Sequence, residues 1–178
     1  MKRIIMALVA VAALLSFTAC NKENADSSST LEFRAGFDFP KDVTDNFDLV
    51  YDISIDGKSI ANGTMSGNFK PISIKSGITE GKFVFKFNMK AKESLYTNWD
   101  FDKEYVISEK YYSAFYSTSK SKEQELVKIE SSMDEEKFIA PIEEWVERTI
   151  KQMENLMSYS EEFKIEKSKG GYSVSYIY

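Results

Sequence analysis

Two sets of carboxylates are the first residues to examine for chemistry. Asp42, Asp45 and Asp48 lie in or beside one polar connection, and Asp100, Asp102 and Glu104 gather beside Trp99 in another. Either set could offer oxygen ligands to calcium, but neither has the central glycine and terminal bidentate glutamate of an EF-hand loop. Solvated loop charges are the plainer expectation. Paired acids can also hydrolyse glycosides when two carboxyls stand at the right separation, so a carboxylate-dependent hydrolase is kept as a second alternative. Other machinery is missing from the chain. It has no histidine and a single cysteine, Cys20. That removes the commonest general base, the Ser-His and Cys-His nucleophile systems, and the usual ligands of zinc and copper. No dinucleotide fingerprint, Walker A loop or nucleophile elbow is present. The expectation is a protein that is not an enzyme, with no metal and no cofactor.

Aromatic residues are the other candidates. Tyr111, Tyr112, Phe115 and Tyr116 put rings on both faces of one strand, whereas a strand with one wet face shows them on one. A sheet covered on both sides explains this as core packing. A pocket lined by Tyr and Phe for an apolar or carbohydrate ligand explains it as function. Trp99, in a polar loop, is a candidate rim contact for such a ligand, or else folds back onto the core.

The elements that carry these residues read mostly as strands. Leu31, Phe33, Ala35, Phe37 and Phe39 alternate with polar residues until Pro40 ends the pattern. Phe47 to Ile55 repeats it, and Asp56-Gly57 predicts a tight hairpin into Lys58 to Met65. Further strands are expected at Ile72 and Ile74, over Phe83 to Met89, from Tyr105 to Thr118, and from Glu125 to Ser131 after a turn at 119–124. Short polar connections argue for an antiparallel meander, since parallel neighbours need long crossovers. One helix interrupts it at about 141–158, with Ile142, Trp145, Val146, Ile150, Met153, Leu156 and Met157 as an apolar stripe and Pro141 at its first position. A last hairpin follows, through Phe163 and Ile165, a turn at Lys169-Gly170-Gly171, and alternation up to Tyr178 within a strand.

The start of the chain decides its setting. Met1, Lys2 and Arg3 give a positive beginning, Ile4 to Phe17 is apolar apart from Ser16, and Thr18 and Ala19 precede Cys20. Such a segment is a secretory signal, too short to span a bilayer comfortably. It resembles the signal of bacterial lipoproteins, in which small residues precede a cysteine that receives diacylglycerol and becomes the mature N-terminus. The resemblance covers this segment alone. It implies cleavage after Ala19, lipid and palmitate on Cys20, and a membrane anchor in the cell envelope. Asn21, standing where an aspartate would favour retention at the inner membrane, implies the outer membrane. A lone thiol in an exported chain fits this use.

Asn21 to Thr30 is polar and aperiodic, the composition of a flexible tether. The organisation expected is therefore 1–19 signal peptide, 20–30 lipidated cysteine and tether, and 31–178 one β-rich domain. With 28 acidic against 23 basic residues, and Lys2 and Arg3 lost on cleavage, the domain is acidic. Nucleic acid is an unsuitable partner for it, and anionic headgroups repel it.

The fold expected is mainly β (α+β), about eight to ten antiparallel strands forming a sandwich or barrel-like sheet, with one amphipathic helix before the final hairpin. A lipid-facing outer-membrane barrel is set aside because several strands are too short. The order of elements resembles the calycin and lipocalin plan, without the Gly-x-Trp signature of a lipocalin's first strand. The function expected is a non-catalytic binding or interaction module whose partners are the membrane, through Cys20, and envelope proteins, glycans or a hydrophobic ligand. A calycin-like carrier of a hydrophobic ligand is the alternative.

Overall fold

The computed structural model describes residues 29–178. Lys2, Arg3, Ala19, the lipidation expected at Cys20 and most of the tether lie outside the described residues. The elements are β1 (Thr30–Asp38), α1 (Lys41–Asn46), β2 (Phe47–Ile55), β3 (Lys58–Ser66), β4 (Ile72–Ile74), β5 (Gly81–Ala91), α2 (Glu93–Thr97), β6 (Tyr105–Ser119), β7 (Lys122–Phe138), α3 (Glu143–Leu156), β8 (Ser158–Ser168) and β9 (Gly171–Tyr176).

The strands form two antiparallel sheets, ordered β4-β1-β6-β7 and β3-β2-β5-β8-β9. They pack together as a sandwich and do not close into a barrel. Among the described residues, sequential hairpins are confined to β2–β3, β6–β7 and β8–β9; β1 pairs with β6 in its own sheet, while its neighbour in sequence, β2, lies in the other.

Alternation explains the core. Inward residues of β1, β5, β6 and β8 interlock as rings: Phe33 lies 4.9 Å from Phe83 and 5.2 Å from Phe115, and Phe115 lies 5.1 Å from Phe163. Burying each such side chain contributes about 1.5–3 kcal/mol. Asp56 and Gly57 take positive φ, as their hairpin requires. Lys120 and Ser121 do the same between β6 and β7 without glycine.

Several expectations are corrected. The chain does not end within a strand: β9 stops at Tyr176, and Tyr178 is 85% exposed. Two short helices, α1 and α2, stand where loops are expected, each burying one apolar residue, Val43 and Leu95. They are too short to register as a period. α3 begins after Pro141, with Ile142 as its N-cap, so the proline precedes the helix instead of opening it. The buried line runs through Val146, Thr149, Ile150 and Met153, and Met157 beyond the helix is buried too. Trp145 is one residue, or 100°, round from Val146, and both it and Ile142 are exposed. The helix packs against β5, where Glu154 Oε1 accepts the Ala91 N–H at 2.9 Å. Among the described residues no helix is long and apolar enough to cross a membrane.

Candidate functional site

The outward face of β1, β6 and β7 carries polar residues that could meet a ligand, and its two halves are built differently. In the first half Glu32 and Arg34 stand on β1, beside Tyr116 on β6. Arg34 Nη2 donates to Glu32 Oε2 at 2.7 Å and to Glu123 Oε2 at 2.5 Å, and Ser73 Oγ donates to Glu32 Oε1 at 2.7 Å. The Arg34 guanidinium lies 4.3 Å from the centre of the Tyr116 ring, whose hydroxyl donates to Glu125 at 3.2 Å. Hydrogen bonds from Arg34 are the main cause that holds the Glu32 carboxyl down at about 2, against its burial. This half is closed: its groups already answer one another.

The second half is open. Gly36 and Asp38 on β1 face Tyr112 and Lys110 on β6, and these in turn face Glu130 and Ser132 on β7. Together they line a depression of about 450 Å³. The Tyr112 ring leans across the sheet, so that a β-carbon on Gly36 would stand 2.4 Å from Tyr112 Cε1. The ring can lie this close only over a glycine; any β-carbon would push it off the sheet. Lys128 Nζ lies 5.6 Å from the ring centre and pairs with Glu130 at 2.5 Å. Asp38, Lys110 and Ser132 are exposed and, among the described residues, form no hydrogen bond or ion pair with another side chain. They are free to bind a ligand where the groups of the first half are not.

A second unusual group lies between the sheets. Glu109 and Tyr111 on β6 and Tyr159 and Glu161 on β8 point into the sandwich, and both glutamates are buried. Glu161 is satisfied, since Tyr111 Oη donates to Oε1 at 2.9 Å and Ser113 Oγ to Oε2 at 2.5 Å. Burial raises its pKa and these two donors act against the rise. Among the described residues neither oxygen of Glu109 has a hydrogen-bond partner. Burial pushes its carboxyl up to about 8; the Tyr159 hydroxyl approaches without hydrogen-bond geometry and offsets only part of that. Tyr159 is itself raised to about 12, by burial first and by Glu109 second.

The residues singled out in the sequence do not meet at one place. Trp99 folds back onto the core, 7% exposed, and its indole N–H donates to the Ala140 carbonyl at 3.2 Å. Phe115 is wholly buried among phenylalanines and Tyr111 faces the sandwich interior. Tyr112 and Tyr116 occupy the outward face, one in each half. Nothing covers that face as a second layer among the described residues; its rings are sheltered by Gly36 and Arg34.

The two acidic sets are dispersed into separate contacts. Asp42 accepts from Lys103 Nζ at 2.5 Å and from the Val106 N–H, Asp45 pairs with Lys41, and Asp48 accepts from Ser66. Asp100 accepts the Asp102 N–H, and Glu104 pairs with Lys137. Among the described residues no group of acids gathers to hold a metal ion.

Sequence reasoning missed Asp38, Lys110, Glu130 and Ser132, and also Glu109 and Glu161. For the glutamates a signal existed: Glu109 shares the parity of Tyr105, Ile107, Tyr111 and Phe115, and Glu161 that of Phe163 and Ile165. For the open half there was none, because its residues come together only through pairing across three strands. Fold and face together define a β-sandwich with one polar, aromatic-floored sheet face. No known protein family, curated protein or solved structure matches the chain.

Proposed function

We propose that this chain is a non-catalytic binding module of the bacterial envelope, held to the membrane through lipid on Cys20, which takes its ligand on the open half of the outward sheet face. The observation that carries the reading is the contrast on that face. Beside a fully satisfied ion-pair network lies a depression floored by a leaning tyrosine and rimmed by unengaged Asp38, Lys110 and Ser132. The position of the depression supports the same reading. β1 starts at Thr30, opposite Thr118, and reaches the depression at Asp38, opposite Lys110. At 3.3–3.4 Å per residue this places the depression about 27 Å from the point where the tether joins.

The test has two parts. Cells fed an alkyne palmitate analogue label the wild-type protein, and Cys20→Ser abolishes the label. A photo-crosslinker replacing Ser132 then captures an envelope component that the same crosslinker at Glu123 does not. Equal capture at both positions, or label that persists in Cys20→Ser, defeats the proposal.

A further inference from the structure

The open half has a chemistry that selects among ligands. We infer, resting on the binding-module reading above, that this depression is a carbohydrate site that takes a neutral pyranose segment, stacked on Tyr112 and held by Asp38, Lys110, Glu130 and Ser132.

At about 450 Å³ the depression has the size of a small-molecule cleft. It is open on one side and rimmed by charge, so an acyl chain or other apolar ligand would keep much of its surface in water; apolar sites bury most of their ligand. An extended peptide gains its affinity from the unpaired backbone of a sheet edge. Here the floor is the face of β1 and β6; β6 is paired on both sides, and the free edges of β7 and of β1 past Ala35 border the depression instead of flooring it.

A pyranose ring fits both limits. One face carries C–H groups with slight positive charge, suited to the negative face of an aromatic ring, and its rim carries hydroxyls that both donate and accept. Tyr112 provides the ring, tilted over the sheet because Gly36 lacks a β-carbon. Asp38 and Glu130 accept, Lys110 donates, and Ser132 does both. With Lys128 paired to Glu130, the rim sets two bases against two acids, so there is no net field of the kind a charged ligand would need.

The test uses the full-length lipidated protein in detergent micelles, applied to an array of neutral oligosaccharides, with the tightest hit then titrated calorimetrically. Tyr112→Ala is expected to weaken that hit about tenfold or more, the loss of one stacking partner. Tyr112→Phe, which keeps the ring, stays within about threefold. Gly36→Ala lifts the ring off the sheet and weakens binding while the thermal transition shows the protein still folded. Glu123→Gln, in the closed half, leaves affinity unchanged. Failure of every neutral oligosaccharide to bind overturns the carbohydrate assignment, as does a hit whose affinity ignores both Tyr112→Ala and Gly36→Ala. If the crosslinker at Ser132 captures a peptide or lipid instead, the sugar assignment falls while the binding-module reading stands.

Discussion

Glu109 and Glu161 are the same residue type, both buried and both pointing between the two sheets, yet their surroundings differ. Glu161 finds two hydroxyl donors, Tyr111 and Ser113, from the opposite sheet. Glu109 finds none. The difference shows that burial alone does not set the cost of a buried acid. A buried carboxyl with donors can stay in place as a structural tie, while one without them is driven to its neutral form. It is also a difference of register. A bulge between Ile107 and Glu109 shifts the pairing of β6 with β7 just where the unpaired acid stands.

The largest expected effect comes from pH acting on Glu109. Below its ordinary value of 4.5 the carboxyl is neutral in both folded and unfolded chains. Between 4.5 and about 8 the unfolded chain releases a proton that the folded chain retains. Stability therefore falls as pH rises through that window and levels off above it, by roughly 5 kcal/mol at most. Urea unfolding at pH 5, 7 and 9 measures the fall, and Glu109→Gln should remove most of it. A wild-type midpoint that stays flat or climbs over the same range would refute the assignment.

Next in size is Glu161→Ala, which strands the hydroxyls of Tyr111 and Ser113 and opens a cavity between the sheets. A loss of about 2–5 kcal/mol is expected in the same denaturation. Tyr111→Phe sharpens the comparison directly, since it takes one donor from Glu161 and makes it more like Glu109. It should cost about 1–3 kcal/mol and add a second downward slope with rising pH. Finding the cost without the added slope would mean that the Tyr111 hydroxyl stabilises the fold without setting the ionisation of Glu161. The smallest effect is expected from Tyr159→Phe in the otherwise wild-type protein, under about 1 kcal/mol, because no properly formed hydrogen bond is lost. A larger loss would show that the two groups are bonded in solution.

Strand alternation made most of this fold legible. β2 falls where its period-two pattern puts it, from Phe47 to Ile55, and Asp56-Gly57 turns the chain as expected. The pattern failed where both sides of a strand are polar. β7 continues to Phe138 through Asp134, Glu135 and Glu136, because an edge strand can keep such residues in water while its backbone still pairs with β6. β8 begins at Ser158, well before Phe163, and its early inward residues are Tyr159 and Glu161, the second of which reads as surface in any hydropathy pattern. For Trp99 a rim position and a place on the core were both open in the sequence; the fold takes the second, with the indole packed on Tyr105 and its N–H donating to the Ala140 carbonyl.

By itself the sequence determined the antiparallel β character, the single long helix near Pro141, and the absence of imidazole or thiolate chemistry beyond Cys20, because these depend on residue type and on periods of two and 3.6 along the chain. Only the tertiary structure decided which acids are buried, which of them are answered by a donor, and which half of the outward face is left open. Those properties belong to pairs such as Gly36 and Tyr112, or Tyr111 and Glu161, that are distant in the chain. Sheet register and the packing of one sheet on the other bring them together, and no local pattern encodes it.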